Sequence, residues 1–200
     1  MSSPCAEMTI ESLMRGLDET HMVIWGEGPA QREHALLLCR EMLSAIPETQ
    51  TVELNGTAMT DIRSSRAALA DSLPGPLDRE PGPSFDGPSG VLSRLREPPP
   101  PIGGAHIKRR YYLWHDADVL LTSSPASFSV MIDAIAGVAA ESEYASDDLL
   151  LIQRLVLIGG PDLATCHADE HGPLRSWRHT SPWAKQTKIA APVFAVLRAC

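Results

Sequence analysis

His21-Met22-Val23-Ile24-Trp25 runs into Gly26-Glu27-Gly28-Pro29, and Gln31 to Ile46 follows with apolar residues at three- and four-residue steps. The first five residues predict a strand, and the glycines and proline predict a tight turn. Ala35, Leu36, Leu38, Cys39, Met42, Leu43 and Ile46 predict an amphipathic helix that Pro47 stops. Strand, turn and helix in that order are the first half of a parallel βαβ unit, and the rest of the chain is read for its continuation.

The continuation is there. Thr51 to Leu54 reads as a second strand closed by Asn55-Gly56, and Asp61 to Leu73 has helical spacing through Ile62, Ala67, Leu69, Ala70 and Leu73. Arg109 to Asp118 places an apolar strand between basic and acidic residues, and Phe128 to Glu143 is a helix apolar on nearly every side. Leu149 to Ile158 is expected to finish a helix and then form a strand, with Arg154 to Ile158 as the strand and Gly159-Gly160-Pro161 as its stop. Pro192 to Leu197 reads as a last strand, and Met8 to Leu17 as a short first helix. Strands alternating with helices imply a three-layer α/β domain: a mostly parallel five-stranded sheet with helices on both faces. Nearly continuous apolar runs are what strands buried on both faces require.

One segment breaks the pattern. Between Pro74 and Pro101 there are nine prolines and four glycines in 28 residues, which cannot sustain a helix interior or a central strand. It is expected to be an exposed loop inserted at about 74–104 in a single domain spanning 1–200, with one helical turn at Val91 to Arg96.

Bulk properties narrow the function. The chain has 200 residues, 44% of them hydrophobic, and a net charge of -8. That acidic balance disfavours nucleic acid as the main partner, because phosphate contacts need a basic surface. No apolar run approaches the ~20 residues that cross a bilayer, and the N-terminal residues lack the basic and apolar blocks of a secretory signal. Cys5, Cys39, Cys166 and Cys200 form no CxxC pair, so a cytoplasmic location with reduced thiols is expected.

With this order of elements the chain resembles the P-loop NTPases, particularly their AAA+ and RecA-like branch, over most of residues 20–198. That resemblance implies a G-x-x-x-x-G-K-[ST] loop whose N–H groups and lysine hold phosphate and whose hydroxyl holds magnesium. The matching positions are Gly26 to Glu33. Gly26 stands at the first glycine, Gln31 replaces the second, Arg32 replaces lysine and Glu33 replaces the hydroxyl residue. Pro29 removes one N–H. A carboxylate 4 Å from a phosphate charge costs roughly 4 kcal/mol at an effective dielectric near 20. Gly26, Gly28 and Arg32 are therefore the candidate cofactor-binding residues of a loop that departs from an intact Walker A motif.

Tyr111 to Asp118 resembles a Walker B strand, whose terminal acid helps hold magnesium. Asp116 is the candidate metal ligand, and Asp116 with Asp118 are the candidate catalytic acids; in clamp-loader subunits with an inactive site a D-A-D triplet also persists. Alternatively, either aspartate caps the following helix. Leu155 to Gly160 matches the sensor strand, yet Gly159 and Gly160 stand where a polar side chain is expected. About 40 residues, with Pro173, Pro182 and Pro192, follow this strand and leave no room for a helical lid domain.

Other constellations carry less. Cys166, His167 and His171, with Asp162 and Asp169 nearby, are ligand types that zinc accepts, but their spacing fits no closed site, and a surface loop with ordinary histidines is expected after Pro161. Trp177 and Trp183 with Arg175, Arg178 and Lys185 form a basic, aromatic cluster for a partner or for packing on the sheet. Thr51 to Pro74 is similar to the start of barstar-type nuclease inhibitors, a further alternative. The resemblance implies a non-catalytic scaffold or regulatory subunit acting through a protein partner or a homo-oligomer. The competing reading is an ATP- and magnesium-binding ATPase with an atypical loop.

Overall fold

The computed structural model describes residues 9–73, 90–144, 151–169, 174 and 194–199. The helices are α1 (Ile10–Glu19), α2 (Pro29–Ala45), α3 (Ile62–Ser72), α4 (Val91–Arg96), α5 (Ala117–Ser123), α6 (Pro125–Tyr144) and α7 (Pro161–Ala168). The strands are β1 (His21–Trp25), β2 (Thr49–Asn55), β3 (Arg109–His115), β4 (Ile152–Gly159) and β5 (Phe194–Arg198). They form one five-stranded sheet in the order β2-β3-β4-β1-β5, with every neighbouring pair parallel.

Helix boundaries follow local chemistry. Thr9 caps α1 by accepting a hydrogen bond from Ser12 N at 3.1 Å. The helix continues through Gly16, and the side chain missing there leaves room for Met22, whose Cε would sit 3.0 Å from a Cβ. Asp61 caps α3 through Ser64 N at 2.7 Å. Pro29 occupies the first turn of α2, where its missing N–H costs nothing.

Both sheet faces are covered. Met22, Ile24, Tyr111, Leu113, Val156 and Ile158 pack under α1 and α2 with Leu13, Leu17, Cys39 and Leu43. On the other face Val23, Val52, Leu54, Tyr112, Trp114, Leu155 and Leu157 pack against α3 to α7. The alternation along each strand divides the two sets, as a sheet buried on both sides requires.

Three expectations change. The Pro-rich segment is not an exposed loop throughout: in its described part, α4 buries Val91, Leu92 and Leu95 in the second core, and Pro99 is buried as well. Two apolar residues and a third four positions later give this short helix one apolar side, and Arg110 holds its end by donating to the carbonyls of Leu95 and Glu97. Residues 74–89 lie outside the described residues. Second, residues 152 and 153 extend β4 and do not end a helix, because they pair with Arg109 and Arg110 at the start of β3. Third, Pro161–Ala168 is a helix and not a loop: His167 Nε2 lies 3.1 Å from Phe194 O and ties it to β5. Residues 145–150, Cys5, His171, Cys200, Trp177, Trp183, Arg175, Arg178 and Lys185 lie outside the described residues, as do Pro192 and Val193 of the expected last strand. No helix among the described residues is long and apolar enough to cross a membrane.

Candidate functional site

The chain leaves β1 through α2 toward β2 at one edge, and leaves β4 through α7 toward β5 on the other side of β1. The carboxyl ends of β1 and β4 thus flank the crevice where connections diverge, the usual ligand position in an open α/β sheet. Gly26 N closes the base of that crevice by donating to Gly159 O at 3.1 Å.

The turn after β1 is short, with only residues 26–28 between the strand and α2. Gln31 folds back from the first turn of α2, and its Oε1 accepts from Glu27 N at 2.8 Å and from Gly28 N at 3.2 Å. A Cβ at Gly26 would sit 2.9 Å from Gln31 Cβ and 3.3 Å from Arg32 Cγ, so the glycine makes room for α2 itself. Glu27 is ion-paired with Arg198, whose guanidinium stacks 5.2 Å from the Trp25 ring centroid.

Arg32 reaches across to α5, where its NH1 lies 3.4 Å from Asp118 Oδ2. The Asp118 carboxylate lies directly on the Gly159-Gly160 backbone: a Cβ at Gly160 would be 2.9 Å from Oδ2, and one at Gly159 would overlap Oδ1. The absence of a side chain at these two positions is therefore what admits Asp118. Asp118 Oδ1 and Arg32 Nε are buried without a hydrogen-bond partner.

Asp116 occupies the N-cap position of α5 in the left-handed region (φ 52°, ψ 36°), but its side chain makes no capping bond. Its Oδ2 instead lies 3.0 Å from His115 Nδ1. Gly56 allows this turn, because a Cβ there would overlap the carbonyl of Asp116. His115 Nε2 is 3.5 Å from Glu53 Oε1, and Glu53 forms a two-pronged pair with Arg40. The hydrogen bonds from Arg40 hold the Glu53 carboxyl below its ordinary range, against the effect of partial burial.

Pro29, Arg32, Glu33, Leu36, His115, Asp116 and Ile158 line a cleft of about 300 Å³ over the first turn of α2. Gly26, Gly28, Arg32, Asp116 and Asp118 thus lie at one end of the sheet, with Arg32 and Asp116 lining the cleft and Asp118 paired with Arg32. Among the described residues no three His, Cys, Asp or Glu side chains are grouped to hold a metal ion. Reading the sequence missed Gln31 as a cap, although Gly28-x-x-Gln31 has capping-box spacing. It also missed the His115–Glu53–Arg40 chain, whose members come from three elements.

No protein-family model matches the sequence, and no curated protein matches it. Two solved structures of the Aeropyrum pernix ORC2 protein do resemble the fold. The ADPNP–ADP complexes give a TM-score of 0.54 at 13% identity, covering 99% of this chain and 49% of that one. The ADP form gives 0.51 at 13% identity, covering 97% and 50%. The chain spans about half the length of these relatives. A likeness at this identity shows the fold: a P-loop-like α/β domain with a parallel five-stranded sheet. The segment set beside barstar-type inhibitors in the sequence reading covers β2 and α3, the second βα unit of that sheet, preceded by β1 and α2.

Proposed function

We propose that this chain is a non-catalytic P-loop-like protein that serves as a scaffold or regulatory subunit through protein contacts. The observation that carries the reading is the wall of the cleft, where Glu33 and Asp116 are both lining residues over the first turn of α2. A polyphosphate placed there meets two carboxylates, each repelling a phosphate charge by roughly 4 kcal/mol at 4 Å and an effective dielectric near 20. Arg32 is the cation at the lysine position, and its guanidinium is already paired with Asp118. Arginine also lacks the compact ammonium that a phosphate loop uses.

One observation favours the competing reading of an ATP-binding protein: Arg32 and Asp116 line the same cleft, a cation for phosphate opposite a carboxylate for magnesium. Calorimetric titration with ATP and magnesium separates the two. The scaffold reading expects no binding in the low micromolar range, and a phosphate-release rate at background that Asp116→Ala leaves unchanged. Micromolar binding, or a rate that falls in Asp116→Ala, overturns it.

A further inference from the structure

The turn after β1 has a complete account of its backbone donors. Gly26 N goes to Gly159 O, while Glu27 N and Gly28 N converge on the single oxygen Gln31 Oε1. Pro29 has no N–H to give. Arg32 N makes the first helical bond, to Gly28 O at 3.3 Å. Convergent N–H groups of a turn at the start of a helix are the feature that elsewhere receives an anion. In this chain one side-chain oxygen from the same helix already lies on them.

Two further observations belong to the same arrangement. Gly26 leaves no more than room for Gln31 Cβ, so the folded-back side chain is fitted to the turn. Arg32, the next residue, has its guanidinium on Asp118, which in turn rests on the glycine pair that ends β4. The amide oxygen takes the place of a bound anion for the turn, and the carboxylate takes it for the cation.

We propose that Gln31 is a built-in substitute for a turn-bound anion, holding residues 26–28 closed in the free protein so that the arrangement does not wait on nucleotide. This rests on the non-catalytic reading of the same site and adds its regulation: the loop has one state, set by the chain itself. A protein acting by contact gains a surface that is constant whatever the nucleotide level.

The test is amide hydrogen exchange, read residue by residue by NMR, on wild type, Gln31→Leu and Gln31→Glu. Gln31→Leu keeps most of the volume and removes the acceptor, whereas Gln31→Glu keeps an acceptor. The Glu27 and Gly28 amides are expected to exchange about tenfold faster or more in Gln31→Leu, and within about threefold of wild type in Gln31→Glu. Val23 and Val156 amides, inside the sheet, report that the fold is intact. Exchange in Gln31→Leu within twofold of wild type overturns the proposal. So does equal acceleration in both variants, which would make shape and not the acceptor the cause. ATP binding by wild type would overturn the scaffold reading without touching this result, so the two failures are distinguishable.

Discussion

Arg110 and Arg32 sit at opposite ends of the same sheet and are treated in opposite ways. Arg110, near the start of β3, is 1% exposed, and its guanidinium is surrounded by acceptors. Nε donates to Gln50 Oε1 at 2.8 Å, NH1 to Leu95 O at 2.8 Å, and NH2 to Glu97 O at 2.9 Å. Gln50, Arg110 and Gln153 are register partners across β2, β3 and β4, and Gln153 accepts from Tyr112 Oη while donating to Ser142 Oγ. Arg32 at the carboxyl end has one contact at 3.4 Å and a buried Nε with no partner. Among the described residues, the other such side-chain atoms are Asp118 Oδ1 and Trp114 Nε1, and both lie toward that same end.

The difference teaches which end is architecture. Burying a charge in a core is tolerated only when its donors are all met, because each unmet polar group costs about 1–3 kcal/mol. The amino end obeys that rule and locks α4 and α6 onto the strands. The carboxyl end leaves donors and acceptors unmet, which native folds concentrate at sites kept for use. The largest expected effect is therefore at Arg110. Arg110→Met strands the Leu95, Glu97 and Gln50 acceptors and should cost about 3 kcal/mol in urea unfolding. A loss below about 1 kcal/mol would break the comparison, since the amino end would then not depend on its polar row.

A second effect of somewhat smaller size also belongs to the amino end. His21 begins β1, and its Nδ1 accepts from Leu155 N at 3.0 Å, so the ring is held neutral. Burial, and then the neighbouring Arg154 charge, push its pKa down from 6.5 to about 3. The folded state thus takes no proton until about pH 3, whereas the unfolded chain takes one near 6.5. Stability is fully present above 6.5 and falls with pH below it, by up to about 1.4 kcal/mol per unit and so about 2 kcal/mol by pH 5. Asp133 works the other way, because burial raises its pKa from 3.8 to about 6 and its proton is held in the folded state over that range. Comparing wild type with His21→Gln cancels the Asp133 contribution. Urea titrations from pH 7.5 to 5 should show the wild type losing about 2 kcal/mol relative to the variant over that range; a constant difference between the two would remove His21 from the account.

The same contrast explains what the sequence disclosed. The end carrying the candidate site was legible because its signals are local: an apolar run, then Gly26 to Pro29, and a second run ending in Asp116. The cap by Gln31 was missed there, although its spacing from Gly28 is just as local. The amino end was less legible. Arg110 and Gln153 are polar residues in buried strands, and their partners arrive from β2, α4 and α6, so β4 read as beginning two residues late. The helical turn at Val91 to Arg96 was legible, but its burial was hidden by the prolines around it, since the Arg110 side chain that holds its end comes from another element. The Arg32–Asp118 pair, 86 residues apart, had no local trace at all.

The smallest expected effect is at that pair, and it tests the comparison most directly. Arg32 and Asp118 have side chains 26% and 18% exposed, so the pair is neither a solvated surface bridge nor a dry internal one. Its attraction is offset by the desolvation of Asp118 Oδ1, which no donor reaches. The carboxylate in the first turn of α5 adds a few tenths of a kcal/mol from the helix dipole. Asp118→Ala removes the unmet oxygen along with the bond, while Arg32 keeps its access to water at the cleft. The net change should stay within about 1 kcal/mol, and a double-mutant cycle with Arg32→Ala should give a coupling of similar size. A loss above about 2 kcal/mol would place Asp118 with Arg110, as a group the fold is built on. A loss near zero leaves its retention at the crevice without a stability cause, and the pair is then explained by what the carboxyl end of the sheet does.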